Sequence, residues 1–255
     1  MKFINTLNQL FISIGLNPNQ LLNLAQFNSI QKKYESINIK TVPFYKSKIV
    51  INKNEPVVDK SQIGIVIKFN SFEIGIRDTD IFLNQLTDFI SWDKSLGNSI
   101  MCFKEIIEFL NIKEIDRLFI QAQYTFKVPK ANTESIDALF RFYPETYSID
   151  KAVITSSNTN VNLYDSESKI HSQIVQTLNQ KKDLNNTYQI DFTDPSSFNF
   201  GLEINTGVEL VSKQLSENKD EINEKFLMLW NYSSYLLKAC LSENLLNQYN
   251  LIDES

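Results

Sequence analysis

The most strictly patterned stretch of the chain runs from Ile63 to Ile76. Ile63, Ile65, Ile67 and Phe69 alternate with Gly64, Val66 and Lys68, which predicts a strand with one strongly apolar face. Asn70-Ser71 reads as a tight turn. Phe72, Ile74 and Ile76 then alternate on a returning strand and complete a β-hairpin. A helix start follows at Ser91-Trp92-Asp93. Leu96, Ile100, Phe103, Ile106, Ile107 and Leu110 carry it at three-to-four spacing. Alternation returns from Ile115 to Val128, through Leu118, Ile120, Ala122, Tyr124 and Phe126. Strand, strand, helix, strand is the grammar of an antiparallel sheet covered by a helix.

Upstream, Phe3, Leu7, Leu10, Phe11 and Ile14 fall at helical spacing, and Gly15 suits a helix end. Asn17-Pro18 restarts a helix, with Asn as cap and Pro at the first helical position. Leu21, Leu22, Leu24, Ala25, Phe27 and Ile30 give that helix an apolar face. Residues 37–51 read as one or two short strands, and residues 52–61, with Pro56, as a polar connector. The second half repeats the grammar loosely. Segments 151–155, 160–165, 169–178, 187–192 and 200–204 read as strands, and tracts 156–160 and 179–186 as turns. A long helix closes the chain over 216–249. Its main stripe is Ile222, Phe226, Leu229/Trp230, Ser233, Leu236/Leu237, Cys240/Leu241 and Leu245. A second stripe carries Met228, Tyr232, Tyr235, Ala239, Leu246 and Tyr249. A helix apolar on two sides is deeply buried or shared with a partner.

The expected fold is therefore α+β: two antiparallel sheet–helix units packed together, with an N-terminal helical hairpin and a long C-terminal helix. The boundaries are 1–36 for the hairpin, 37–130 for the first unit and 131–255 for the second. A chain of 255 residues with 42% hydrophobic and 22% charged residues can bury a core without disulfides or metals. No stretch is apolar for long enough to span a membrane. The amino-terminal apolar residues are broken by Asn5, Asn8 and Gln9, unlike a signal peptide. A cytoplasmic protein is expected.

Charge and reactive residues narrow the function. The net charge is -5, and only Arg77, Arg117 and Arg141 are arginines, the residue best shaped for phosphate and guanine contacts. Direct nucleic-acid binding is disfavoured. His171 is the only histidine. In Lys169-Ile170-His171-Ser172-Gln173-Ile174 it shares a strand face with Gln173, opposite Ile170, Ser172 and Ile174, and reads as solvent-facing. Cys102 and Cys240 sit in apolar helical segments and read as small core residues, with neither disulfide nor zinc spacing. Glu167-Ser168-Lys169, with Asp150 or Asp165, has the Glu-x-Lys form of metal-dependent nucleases, in which carboxylates hold Mg²⁺. The same form recurs at Glu217-Asn218-Lys219, and a polar hairpin turn explains the first occurrence better. Asp191 and Asp194 fit an Asx-type turn closed by Pro195, and Arg77-Asp78-Thr79-Asp80 fits a charge-capped turn. The isolated glycines form no phosphate cradle, and there is no Gly-x-Ser-x-Gly elbow.

Two segments resemble a sporadically distributed, uncharacterised prokaryotic family of about 250 residues. The first is the hairpin, the Ser91-Trp92-Asp93 helix start and the strand Asp116-Arg117-Leu118-Phe119-Ile120-Gln121-Ala122-Gln123-Tyr124. The second is the closing helix from Phe226-Leu227-Met228-Leu229-Trp230 to Leu245. The resemblance covers residues 62–128 and 186–250. The family's helix histidine is replaced here by Trp230-Asn231. The resemblance implies the sheet–helix fold and a bacterial defence or toxin–antitoxin setting.

The expected function is a non-enzymatic, oligomeric protein-interaction subunit of such a defence or immunity system. An acidic surface suits masking a basic partner. A protein partner or self-association would use helix 216–249, with Trp230, Tyr232, Tyr235 and Tyr249 as contacts, and neither metal nor cofactor is implied. The alternatives are a carboxylate-metal nuclease and a small-molecule or nucleotide sensor.

Overall fold

A computed structural model describes residues 7–52, 55–85, 97–129, 156–179, 197–214, 220–243 and Leu246. The described strands are β1 (Leu7–Leu16), β2 (Lys40–Asn52), β3 (Glu55–Lys68), β4 (Phe72–Arg77), β5 (Asp80–Gln85), β6 (Glu114–Pro129), β7 (Ser156–Asp165), β8 (Ile170–Asn179) and β9 (Ser197–Gln214). The described helices are α1 (Leu24–Glu35), α2 (Gly97–Phe109) and α3 (Asp220–Cys240). All nine strands join one antiparallel sheet, in the order β2-β3-β4-β5-β1-β6-β9-β8-β7. This corrects the expectation of two sheet–helix units beside an N-terminal helical hairpin.

The correction turns on β1. Leu7, Leu10, Phe11 and Ile14 lie at helical spacing, but Leu10, Ile12, Ile14 and Leu16 are also two apart, and all four are buried. A strand apolar on one face, with Phe11 on the other, satisfies both periods. Insertion between β5 and β6 decides the matter, because both edges of β1 find backbone partners there. That placement fuses the two expected sheets. Asn17 does cap a helical turn, but only the short 3₁₀ turn Pro18–Gln20. The helix proper starts at Asn23, whose side chain accepts from the Ala25 and Gln26 amides, while Gln26 answers the Asn23 amide in a capping box.

Other elements sit closer to expectation. The 63–76 hairpin pairs as read, with Ile65 opposite Ile76 and Ile67 opposite Ile74. The 115–128 strand is β6. The supposed connector 52–61 instead extends the β2–β3 hairpin, where Pro56 stands opposite Ile51. Proline is tolerated there because β4 reaches only Gly64–Lys68 of β3. Tract 156–160 is likewise strand rather than turn, and 200–204 is the middle of the longer β9. The expected strands 151–155 and 187–192, the turn after Asn179 and the Ser91-Trp92-Asp93 helix start lie outside the described residues.

The two halves repeat one another across the centre of the sheet. Leu10-Phe11-Ile12 in β1 and Leu118-Phe119-Ile120 in β6 are the same tripeptide. The strands pair with Ile12 opposite Ile120, on an approximate two-fold axis. From there β5, β4 and β3 follow β1 as β9, β8 and β7 follow β6, and α2 and α3 close their halves.

One sheet face is uniformly apolar. Ile67, Ile74, Leu83, Ile12 and Ile120 line up across β3, β4, β5, β1 and β6, and Ala122, Ile204 and Ile174 across β6, β9 and β8, all at most 1% exposed. The three helices cover that face. α1 lies on β2 and β3, and α3 lies on β6 and β9. α2 sits between them: Lys33 of α1 lies 4.6 Å above the Phe109 ring, and Phe103 meets Phe226 of α3 edge-on at 6.4 Å.

Candidate functional site

The opposite face of the sheet has no described helix on it. Across its first half runs an aromatic row. Phe82 of β5 stacks on Phe11 of β1 at 5.1 Å and tilts toward Phe44 of β2 at 6.2 Å, and Phe11 meets Phe119 of β6 at 6.4 Å. All four rings are half-buried. Arg77 lies 5.1 Å from the Phe82 ring and pairs with Asp80 at 2.8 Å. This ion pair is the charge-capped turn read from Arg77-Asp78-Thr79-Asp80, and it joins β4 to β5.

Glycine makes the row possible. Five of the six glycines, Gly15, Gly64, Gly75, Gly201 and Gly207, stand on this face; the sixth, Gly97, opens α2. Their value is the missing side chain, since none of the described glycines has a positive φ. A methyl on Gly75 would fall inside the Phe82 ring, and one on Gly15 would meet the Arg117 side chain. At Gly207 it would crowd the Leu118 carbonyl oxygen and touch Phe119, and at Gly64 it would meet the Ile76 carbonyl oxygen. Large flat side chains thus lie down over bare backbone, a known rescue of strand glycines.

The second half of the face is polar. Gln173 donates to Asn162 at 3.2 Å, and Asn205 donates to Gln173 at 3.2 Å. The Glu203 carboxylate accepts from Asn205 at 2.8 Å and from Gln123 at 3.1 Å. This ladder of amides crosses β7, β8, β9 and β6. Gln9 donating to Asn84 at 2.9 Å extends the amide chemistry into the aromatic half, and Asn8 donates to Thr125 at its border. Near the β7 edge the Tyr164 ring lies 4.6 Å from His171.

The residues singled out from the sequence fall in different places. His171 is exposed on the same face as Gln173, as its strand position implied. Glu167 and Lys169 lie exposed in the β7–β8 turn. Asp165 closes that turn: the nearby Ser168 hydroxyl, together with the Glu167 and Ser168 amides from which it accepts, holds its carboxyl below the usual range. Lys169 takes the left-handed conformation, φ 58. The Glu-x-Lys segment therefore lies in a turn and not on a strand. Among the described residues no three His, Cys, Asp or Glu side chains are placed to hold a metal. Asp150, Asp191, Asp194, Glu217 to Lys219 and Tyr249 lie outside the described residues.

On α3 the main stripe is core. Trp230 is 6% exposed, and Phe226, Leu229, Ser233, Leu237 and Cys240 are fully buried. The second stripe separates: Tyr235 is 64% exposed and Met228 39%, whereas Tyr232 is half-buried beside Tyr235. Of the expected contacts, then, Tyr235 is presented to solvent and Trp230 packs inward.

Cys240 is buried and Cys102 half-buried. Burial pushes the Cys240 thiol up to about 12 and, with Cys102 and Glu105 nearby, the Tyr34 hydroxyl also to about 12. Both acids are neutral when protonated, so an unfolded chain loses these protons at lower pH than the folded one. Stability is expected to be unaffected by them below pH 9 and to fall as pH rises from 9 toward 12. Urea midpoints at pH 8, 9.5 and 10.5 check this; a midpoint that holds at pH 10.5 contradicts it.

The chain matches no protein-family model and no curated protein. The described helices include none long and apolar enough to cross a membrane.

Proposed function

We propose that this chain is a non-catalytic interaction subunit that holds a protein partner on the helix-free face of its sheet. One observation carries the reading: the row Phe44, Phe82, Phe11 and Phe119, half-exposed, with Phe82 lying over Gly75 and Phe119 against Gly207. Protein interfaces concentrate binding energy in aromatic and arginine side chains set among polar ones. Here the row is flanked by Arg77 and Arg117, two of the chain's three arginines, and bordered by an amide ladder. The rings are already in place before binding, so little side-chain entropy is lost on contact. The expected interaction role is retained, but its surface moves from the closing helix to the sheet. A bacterial defence or immunity setting remains what the family resemblance implies.

Affinity capture from the source cells tests this with three proteins. The wild type is expected to retain a specific protein. The pair Phe11→Ser, Arg117→Glu is expected to lose it at least tenfold while keeping its circular dichroism. The α3 variant Tyr235→Ala is expected to retain it. Loss with Tyr235→Ala and retention by the sheet pair would return the interaction to the helix and overturn the sheet reading.

A further inference from the structure

The two edges of the sheet are built differently. β2 carries Lys40, Lys46 and Lys48, a proline at position 43, and a register break between Phe44 and Tyr45. Lysine, proline and bulges are the devices that keep an edge strand from pairing with another chain. β7 has none of them. Its ten residues, Ser-Ser-Asn-Thr-Asn-Val-Asn-Leu-Tyr-Asp, hold one charge, Asp165, at the far end. Its register against β8 is unbroken from Ser156 opposite Asn179 to Asp165 opposite Ile170. Among the described residues no strand pairs with its outer side.

We propose that the outer edge of β7 pairs antiparallel with the β7 of a second copy of this chain. Self-complementarity favours a second copy over a foreign strand. Val161 and Leu163 lie toward the helix side, packed against the core but still half-exposed, and Asn160 and Asn162 lie exposed on the opposite face. A two-fold axis normal to the sheet at Val161 sets Val161 opposite its own copy and Asn160 opposite Asn162. Val161 then meets its own copy on the helix side, with Leu163 opposite Thr159, and Asn160 meets Asn162 on the other face, where stacked asparagines exchange hydrogen bonds. The lone Asp165 falls at opposite ends, so no like charges oppose. Nine paired residues, 157–165, give on the order of ten backbone hydrogen bonds, the number in a typical interface. The sheet becomes continuous through both copies, with all helices on one side and both aromatic rows on the other.

Sedimentation velocity on the whole chain tests this. The wild type is expected to run at twice the 29.5 kDa of one chain at micromolar concentration. The double variant Asn160→Lys, Asn162→Lys, altered only at exposed side chains, is expected to run as a monomer with an unchanged circular dichroism spectrum. Hydrogen exchange on the wild type adds a readout that needs no variant: amides of β7 are expected to lose protection on dilution while those of β6 keep theirs. A wild type that stays monomeric at 100 µM, a dimer that survives both lysines, or β7 protection independent of dilution would each overturn the proposal.

Discussion

Replacing Phe226 with alanine is expected to lower stability by about 3–5 kcal/mol, the largest loss from any single truncation proposed here. Phe226 is 0% exposed and meets Phe103 edge-on at 6.4 Å, so its ring ties α3 to α2 above the sheet. Removal leaves a void that two helices on a rigid sheet can only partly close, which adds a cavity term to the lost transfer free energy. Against a total stability of ~5–15 kcal/mol this is a large fraction. For a chain of this size it corresponds to a drop of roughly 6–20 °C in melting temperature. Calorimetry measures it. Truncating exposed Met228 on the same helix is expected to change stability by less than ~0.5 kcal/mol. Equal losses at the two positions would mean that α3 does not pack as described.

Placing a methyl on Gly75 is expected to destabilise the protein by about 1–3 kcal/mol, through overpacking alone. The backbone at Gly75 has no positive φ, so alanine is not strained by conformation. The obstacle is the Phe82 ring. In a Phe82→Ala background the same change is expected to be neutral or slightly stabilising, because alanine also reduces the freedom of the unfolded chain. The two substitutions should therefore couple by roughly 1–3 kcal/mol in a double-mutant cycle from denaturant titrations. Gly64→Ala is the contrast. Its methyl meets the Ile76 carbonyl oxygen, a backbone atom that no side-chain truncation removes. Additivity at Gly75 and Phe82 would show that the ring does not lie on the glycine. The aromatic row at the centre of the proposed interface would then have a different geometry.

Much of the local structure was legible because burial on one sheet face writes a period of two into the chain. The hairpin around Asn70-Ser71 and the strand through Ile120 follow from that alternation directly. Three elements were misread where the period was ambiguous or the composition misleading, the polar start of β7 at 156–160 among them. β1 satisfied a helical spacing as well as an alternating one. Pro56 and its polar neighbours suggested a connector, but at that point β3 needs a partner on one side only. The sheet site was missed for a different reason. Phe11, Phe82 and Phe119 belong to three strands far apart in sequence; Phe11 was read on a helix face, and Phe82 and Phe119 were given no role. One signal could have exposed part of the pattern: Leu-Phe-Ile occurs at 10–12 and again at 118–120.

In the strands whose alternation is unambiguous, such as 63–76 and 115–128, the sequence by itself determined which residues turn toward the core, since a period of two assigns a face without knowledge of the neighbours. It also determined the lone histidine's exposure and the turn character of Glu167-Ser168-Lys169. Only the tertiary structure decided that nine strands make one sheet, because strand order depends on long-range backbone pairing that leaves no mark on any single strand. The same pairing gathers five glycines, scattered between positions 15 and 207, onto one face. Glycine read singly signals a turn or a weak strand position. A glycine set opposite a large side chain, as Gly75 is opposite Phe82, becomes a place for it to lie, because neighbouring strands are only ~4.8 Å apart and a bare backbone leaves room for a ring.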